Sequence, residues 1–129
     1  MNKNNNNSSK NKKGKIISVI GRLEERDIFE YKEFGKISTK YSDYVIFTMD
    51  DPREEDVNQI IDDLVSESNL TNYERIIDRK EAIYKALSMA EKDDIVFITG
   101  KGRDNYMALG KEYLPYSDYE VIKSYFIKW

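Results

Sequence analysis

Tyr44-Val45-Ile46-Phe47-Thr48, running into Asp50-Asp51-Pro52-Arg53, and Ile95-Val96-Phe97-Ile98-Thr99, running into Gly100-Lys101-Gly102-Arg103-Asp104, are the two segments that decide the fold. Short apolar runs rich in β-branched residues that stop at polar loops read as strands of a parallel sheet, whose ligands sit beyond the carboxyl ends of the strands. Both loops are therefore expected on one rim of the sheet. Each carries an arginine and carboxylates, a set that suits a ligand with its own carboxylate and ammonium, such as an amino acid. Taken singly, each cluster also reads as ordinary solvated loop charge. Pro52 fixes its own φ and is expected to hold Asp51 extended, while Gly100 and Gly102 would let backbone approach a ligand closely.

Outward from these two runs the remaining elements fall into alternation. Ile16–Ile20 reads as a first strand closing at Gly21, and Tyr31, Phe34, Ile37 and Tyr41 have the spacing of one helical face. A helix is expected from Glu54 to about Ser66, its acidic start complementing the positive end of the helix dipole and Val57, Ile60, Ile61, Leu64 and Val65 turned inward. Tyr73–Ile77 is a short strand, and Asp78 with Glu81 has the spacing of a capping box for a helix ending near Glu91. Tyr106–Leu109 and Glu112–Leu114 about Gly110-Lys111 form a hairpin. A last helix, from about Ser117 to Lys128, is expected to bury Val121, Ile122, Tyr125 and Phe126. Strands alternating with helices give an α/β, Rossmann-like domain, a mainly parallel sheet flanked by helices with a small C-terminal hairpin.

Composition bounds what such a domain can do. The 129 residues fit one domain, divided here into residues 1–14, an Asn/Lys-rich tail too polar to order itself, and residues 15–129, the folded part. The net charge of −3 hides an asymmetry: Met1–Lys15 holds five lysines and no acid, leaving 16 basic against 24 acidic side chains, a balance of −8. So acidic a body excludes nucleic acid as a partner, because phosphate binding needs clustered cations. With no cysteine and no histidine, disulfides, thiolate nucleophiles, zinc sites of the usual ligands and histidine bases are all ruled out. There is no metal-ligand motif, no apolar run near the roughly 20 residues that cross a bilayer, and no signal-peptide pattern, so a cytoplasmic location away from the membrane is expected.

The motifs together resemble the C-terminal domain of the Mur ligases, most closely the branch that adds the third residue of the peptidoglycan stem peptide. Asp50-Asp51-Pro52-Arg53 is similar to that family's Asp-Asn-Pro-Arg loop, and Gly100-Lys101-Gly102-Arg103-Asp104 with Asn105-Tyr106 resembles its Gly-Lys-Gly-His-Glu loop followed by Asp-Tyr. Asp78-Arg79-Lys80-Glu81-Ala82-Ile83 and Tyr116-Ser117-Asp118 match in kind and order, and the resemblance spans about Lys15 to Phe126. It implies that Arg53 takes the distal carboxylate of an incoming amino acid such as diaminopimelate, with Asp51 beside it, and that Gly100 and Asp104 take the distal ammonium. Arg26, with Asp27, matches the family's first loop in register, where this chain reads Gly21-Arg22-Leu23-Glu24-Glu25 in place of that family's Gly-x-Gly-Gly-Asp; a local ion pair of Arg26 with Asp27 is an equal reading.

The same resemblance implies an ATP-dependent ligase, yet no Gly-x-x-x-x-Gly-Lys-Ser/Thr motif is present. No cofactor is therefore assigned to this chain; ATP and Mg2+ would come only with a separate ATP-binding ligase subunit, and no catalytic residue is assigned. Two other readings stand beside it: a decayed, non-catalytic regulatory or scaffold domain, and a receiver-type phosphoacceptor built on Asp50, Asp51, Thr99 and Lys101. Tyr113, Tyr116, Tyr119 and Trp129 are expected either to form an exposed docking surface or to pack the final helix.

Overall fold

A computed structural model of the chain describes residues 14–21 and 27–127. The expected tail at residues 1–13, Arg26 and Trp129 lie outside the described residues. Four strands, β1 (Ile16–Ile20), β2 (Tyr44–Phe47), β3 (Tyr73–Arg75) and β4 (Ile95–Ile98), form one sheet in the order β3-β2-β1-β4 with every pairing parallel. Val19 of β1 pairs with Ile46 on one side and Ile98 on the other, so β1 is the centre of the sheet. Helices α1 (Ile28–Tyr41), α2 (Val57–Val65), α3 (Arg79–Met89) and α4 (Asp118–Ile127) complete the layers. Strands β5 (Tyr106–Leu109) and β6 (Glu112–Pro115) form the antiparallel hairpin.

The strands read as continuous apolar runs because both faces of the sheet are covered. Ile17, Val19 and Ile46 point to one face and pack with Ala82, Ile83, Ala86 and Val121 of α3 and α4. Ile20, Val45 and Phe47 point to the other and pack with Tyr31, Ile60, Ile61 and Leu64 of α1 and α2. Fully burying side chains of this size contributes about 1.5–3 kcal/mol each, so these two clusters are the main source of stability.

Local details depart from the sequence expectation in instructive ways. The helix expected from Glu54 begins at Val57, because Pro52 and Glu55 close a turn (Glu55 N to Pro52 O, 2.9 Å) and Asp56 is the cap, accepting from Asn58 N at 2.9 Å. On α1 the buried stripe is Tyr31, Gly35, Ser38 and Thr39, while Ile37 and Tyr41 face outward. Gly35 is the cause: a Cβ there would collide with the Leu64 carbonyl, so α1 and α2 approach backbone to backbone where apolar periodicity registers only a gap. Phe126 is likewise exposed, and Val121 takes the core position on α4, with Tyr125 set edge-on to Tyr84. Asp78 caps α3, accepting from Glu81 N at 3.1 Å, which is one half of the capping box expected from the spacing.

Candidate functional site

The sheet order makes the carboxyl end of β1 a branch point: β2 and β3 lie to one side and β4 to the other. Ligands of open α/β sheets sit at such a switch point. Thr48 N donates to Ile20 O at 2.9 Å and Thr99 N to Val19 O at 3.0 Å, so the chain leaves β2 and β4 on either side of Gly21. The loops 48–53 and 99–104 thus share one rim.

What joins them is Lys101, whose side chain is completely buried. Its Nζ lies 2.7 Å from Asp51 Oδ1 and 3.7 Å from Asp104 Oδ2, and 4.5 Å from the centroid of the Tyr106 ring. Asp51 Oδ1 also accepts from Ala108 N at 2.8 Å, which pins β5 to the same point. Arg53 extends that seam through its backbone, donating from N to Ala108 O at 3.0 Å and accepting from Gly110 N at 2.8 Å. Asp104 is half-exposed and Arg53 is exposed, so both reach solvent beside the buried pair.

This loop is held in uncommon backbone conformations. Asp51 has φ 45° and Arg53 φ 55°, on either side of Pro52, where an extended Asp51 was expected. The hydrogen bonds and ion pair just described over-determine the loop and so sustain the strain, as strained residues require. Gly100 (φ 109°) is needed for a close contact within the protein: a Cβ there would collide with Asp50 Oδ2.

Behind the rim, Asp50 is buried, and burial pushes its carboxyl up to about 6, with Asp51 and Asp118 adding to the rise and Arg79 and Lys101 opposing it. Arg79 is also buried. Its Nε and Nη2 donate to the two oxygens of Asp118 at 2.9 and 2.8 Å, and Nη1 and Nη2 reach Met49 O at 3.1 Å and Thr99 O at 2.6 Å. Burial disfavours its charge, but the Asp118 fork outweighs that and holds the proton more tightly than usual. Tyr116, one of the aromatics expected either to be exposed or to pack the final helix, is half-buried and donates to Asp118 Oδ1 at 2.7 Å; burial and that carboxylate push its hydroxyl up. Tyr113 and Tyr119 are exposed. On the α4 flank of loop 99–104 lies an open cleft of about 570 Å3, with Ile98, Arg103, Tyr119 and Ile122 in its wall.

Comparison with known proteins identifies the family of this fold. The family model described as Mur ligase, glutamate ligase domain, matches residues 5–102. The chain belongs to that Mur ligase family. It is 42% identical over 111 residues to the UDP-N-acetylmuramoyl-L-alanyl-D-glutamate--2,6-diaminopimelate ligase of Bacillus cereus, covering 86% of this chain and 23% of that protein. To the ligase of the same name from Clostridioides difficile it is 44% identical over 110 residues, 84% of this chain and 23% of the relative. A solved structure of a ligase with that name superposes with TM-score 0.80 and 28% identity, over 88% of this chain and 24% of the other. The chain therefore spans about a quarter of the length of the relatives it matches.

Within this Mur ligase domain the sequence-predicted residues divide. Asp51, Arg53, Gly100 and Asp104 stand on the two neighbouring loops, and Arg26 lies outside the described residues. Asp27 and Glu30 form the capping box of α1, with Glu30 N to Asp27 Oδ1 at 3.0 Å and Asp27 N to Glu30 Oε1 at 3.1 Å. Sequence reading gave Lys101 no role in the amino-acid site, since a lysine between glycines looks like solvated loop. It gave Arg79 and Asp118 none either, and only the fold brings that pair together. Among the described residues no three carboxylates converge as a metal site needs, and no helix is long and apolar enough to cross a membrane.

Proposed function

We propose that this chain is an amino-acid-binding domain of a peptidoglycan-type ligase, acting on the free amino acid that is added to a UDP-linked muramoyl peptide. Its support is the convergence of the β2 and β4 loops on Lys101, which sets the cation Arg53 and the anion Asp104 at one rim. In this reading Arg53 receives a carboxylate of the amino acid, Asp104 and the Gly100 backbone receive an ammonium, Asp51 stands beside them, and Arg26, which follows β1 in the sequence, contributes to the same site. Charge-assisted contacts of this type are worth about 1.5–3 kcal/mol each. Diaminopimelate, named in the relatives, is the first candidate ligand.

In this reading no catalytic residue and no step of acyl activation are assigned to this chain. Nucleotide chemistry would come from polypeptide other than these 129 residues, either a separate ATP-binding subunit or a further part of a longer chain, in the cytoplasm. A non-catalytic regulatory or scaffold role is the second reading. It is favoured by Asp27 and Glu30 being committed to a helix cap rather than left to face a reacting group.

Isothermal calorimetry decides between them. Diaminopimelate should bind the wild-type chain more tightly than lysine, and Arg53→Ala should weaken it at least tenfold. Failure of every amino acid to bind, at millimolar concentration and with the fold intact, overturns the amino-acid reading.

A further inference from the structure

The Lys101 side chain has no exposed surface, yet its three anchors come from three separate segments: Asp51 from the β2 loop, Asp104 from its own loop and Tyr106 from β5. A cation drawn so fully out of water persists only where partners compensate it. The nearest partner, Asp51, is the residue that would otherwise add a negative charge directly beside Arg53. With Lys101 at 2.7 Å, that charge is cancelled inside the protein, and the charged side chains of these two loops that reach solvent are Arg53, Arg103 and the half-exposed Asp104.

We propose that Lys101 is a positioning residue of the amino-acid site: its Nζ sets the spacing between the loop carrying Arg53 and the loop carrying Asp104, and neutralises Asp51 so that Asp104 is the one carboxylate of these two loops presented to solvent. The site so built selects ligands in which one carboxylate and one ammonium lie close together, the zwitterionic end of an amino acid. Diacids lacking the amine, and diamines lacking the carboxylate, are discriminated against. This specificity rests on the amino-acid-binding reading; the spacing role does not.

Removing Lys101 alone would strand the buried Asp51 carboxylate and could unfold the loop for that reason alone. The informative variant is the double substitution Lys101→Met with Asp51→Asn, which removes both charges and leaves an amide oxygen for Ala108 N. Two readouts are taken on wild type and double variant: thermal melting with amide hydrogen exchange in the ligand-free protein, and calorimetric titration with diaminopimelate, its decarboxylated analogue cadaverine and the diacid pimelate. Expected are a melting temperature close to wild type and exchange at the Asp104 and Ala108 amides faster by tenfold or more. Diaminopimelate affinity should fall by about tenfold, and its preference over the diacid and the diamine should shrink.

Unchanged exchange at both amides overturns the proposal whatever the ligands do, and so does accelerated exchange with unchanged affinity and selectivity. Accelerated exchange, with wild type binding none of the three ligands, supports the spacing role and overturns the amino-acid reading instead.

Discussion

Arg79 and Asp118, 39 residues apart in sequence, meet as a two-point fork with Nε to Oδ1 at 2.9 Å and Nη2 to Oδ2 at 2.8 Å, their side chains 1% and 7% exposed. The same guanidinium holds the carbonyls of Met49 and Thr99, so one side chain ties the carboxyl ends of β2 and β4 to α4. Arg79 opens α3, and the Asp78 cap fixes where that helix starts. The two loops of the candidate site are therefore braced by two buried ion pairs, Arg79 with Asp118 and Lys101 with Asp51.

Arg79→Met should cost about 3–5 kcal/mol, because it leaves Asp118 buried without its cation and two carbonyls without their donor. Urea unfolding at pH 7 measures it. Adding Asp118→Asn should return part of the loss, since the uncompensated charge is then gone. A loss below about 1 kcal/mol for the single variant would show that the fork contributes little.

Asp50 gives the stability a pH dependence of known sign. Its carboxyl is pushed up to about 6 in the folded chain from 3.8, so the folded state binds the proton more tightly than the unfolded state. This contribution is fully present below about pH 4 and is lost as the pH rises through about 6. At about 1.4 kcal/mol for each tenfold change in proton affinity, the full swing is about 3 kcal/mol. Asp50→Asn should therefore be more stable than wild type by up to that amount at pH 8 and nearly equal to it at pH 4. A difference between the two proteins that does not change with pH contradicts this account.

Gly35→Ala tests the close approach of α1 to α2. Helix propensity alone favours alanine by about 1 kcal/mol. The added methyl would meet the Leu64 backbone, which cannot rotate away, and overpacking of this type costs about 1–3 kcal/mol. A net loss of stability is expected in thermal melts, whereas a gain would mean that α1 can slide without cost.

Arg53 separates backbone strain from ligand contact. At φ 55° an alanine keeps the left-handed penalty of about 1–2 kcal/mol that glycine escapes. Arg53→Gly should thus be more stable than Arg53→Ala by about 1 kcal/mol, after allowing for the greater freedom of glycine in the unfolded chain. Both variants should bind diaminopimelate equally weakly. Recovery of binding in the glycine variant would show that loop shape matters more than the guanidinium.

The alternation of strands and helices was legible in the chain itself. Runs such as Val45-Ile46-Phe47 and Ile17-Ser18-Val19-Ile20 bury alternate residues on two covered faces, so local composition reports them directly. The capping of α3 by Asp78 and the hairpin turning at Gly110 were equally local, each needing only residues three or four apart. So was the placing of two charged loops at strand ends, from which the family resemblance also came.

What the tertiary structure alone decided is which charges leave water. Lys101 between two glycines and Arg79 at the start of a helix carry no mark of burial in the sequence, and their partners lie 50 and 39 residues away. The positive φ of Asp51 and Arg53, and the inward turn of Gly35 in place of Ile37, have the same origin. A hydrogen bond to the neighbouring residue is written into local spacing; the desolvation of a cation, and the anion that makes it tolerable, depend on segments that only the folded sheet brings to one rim.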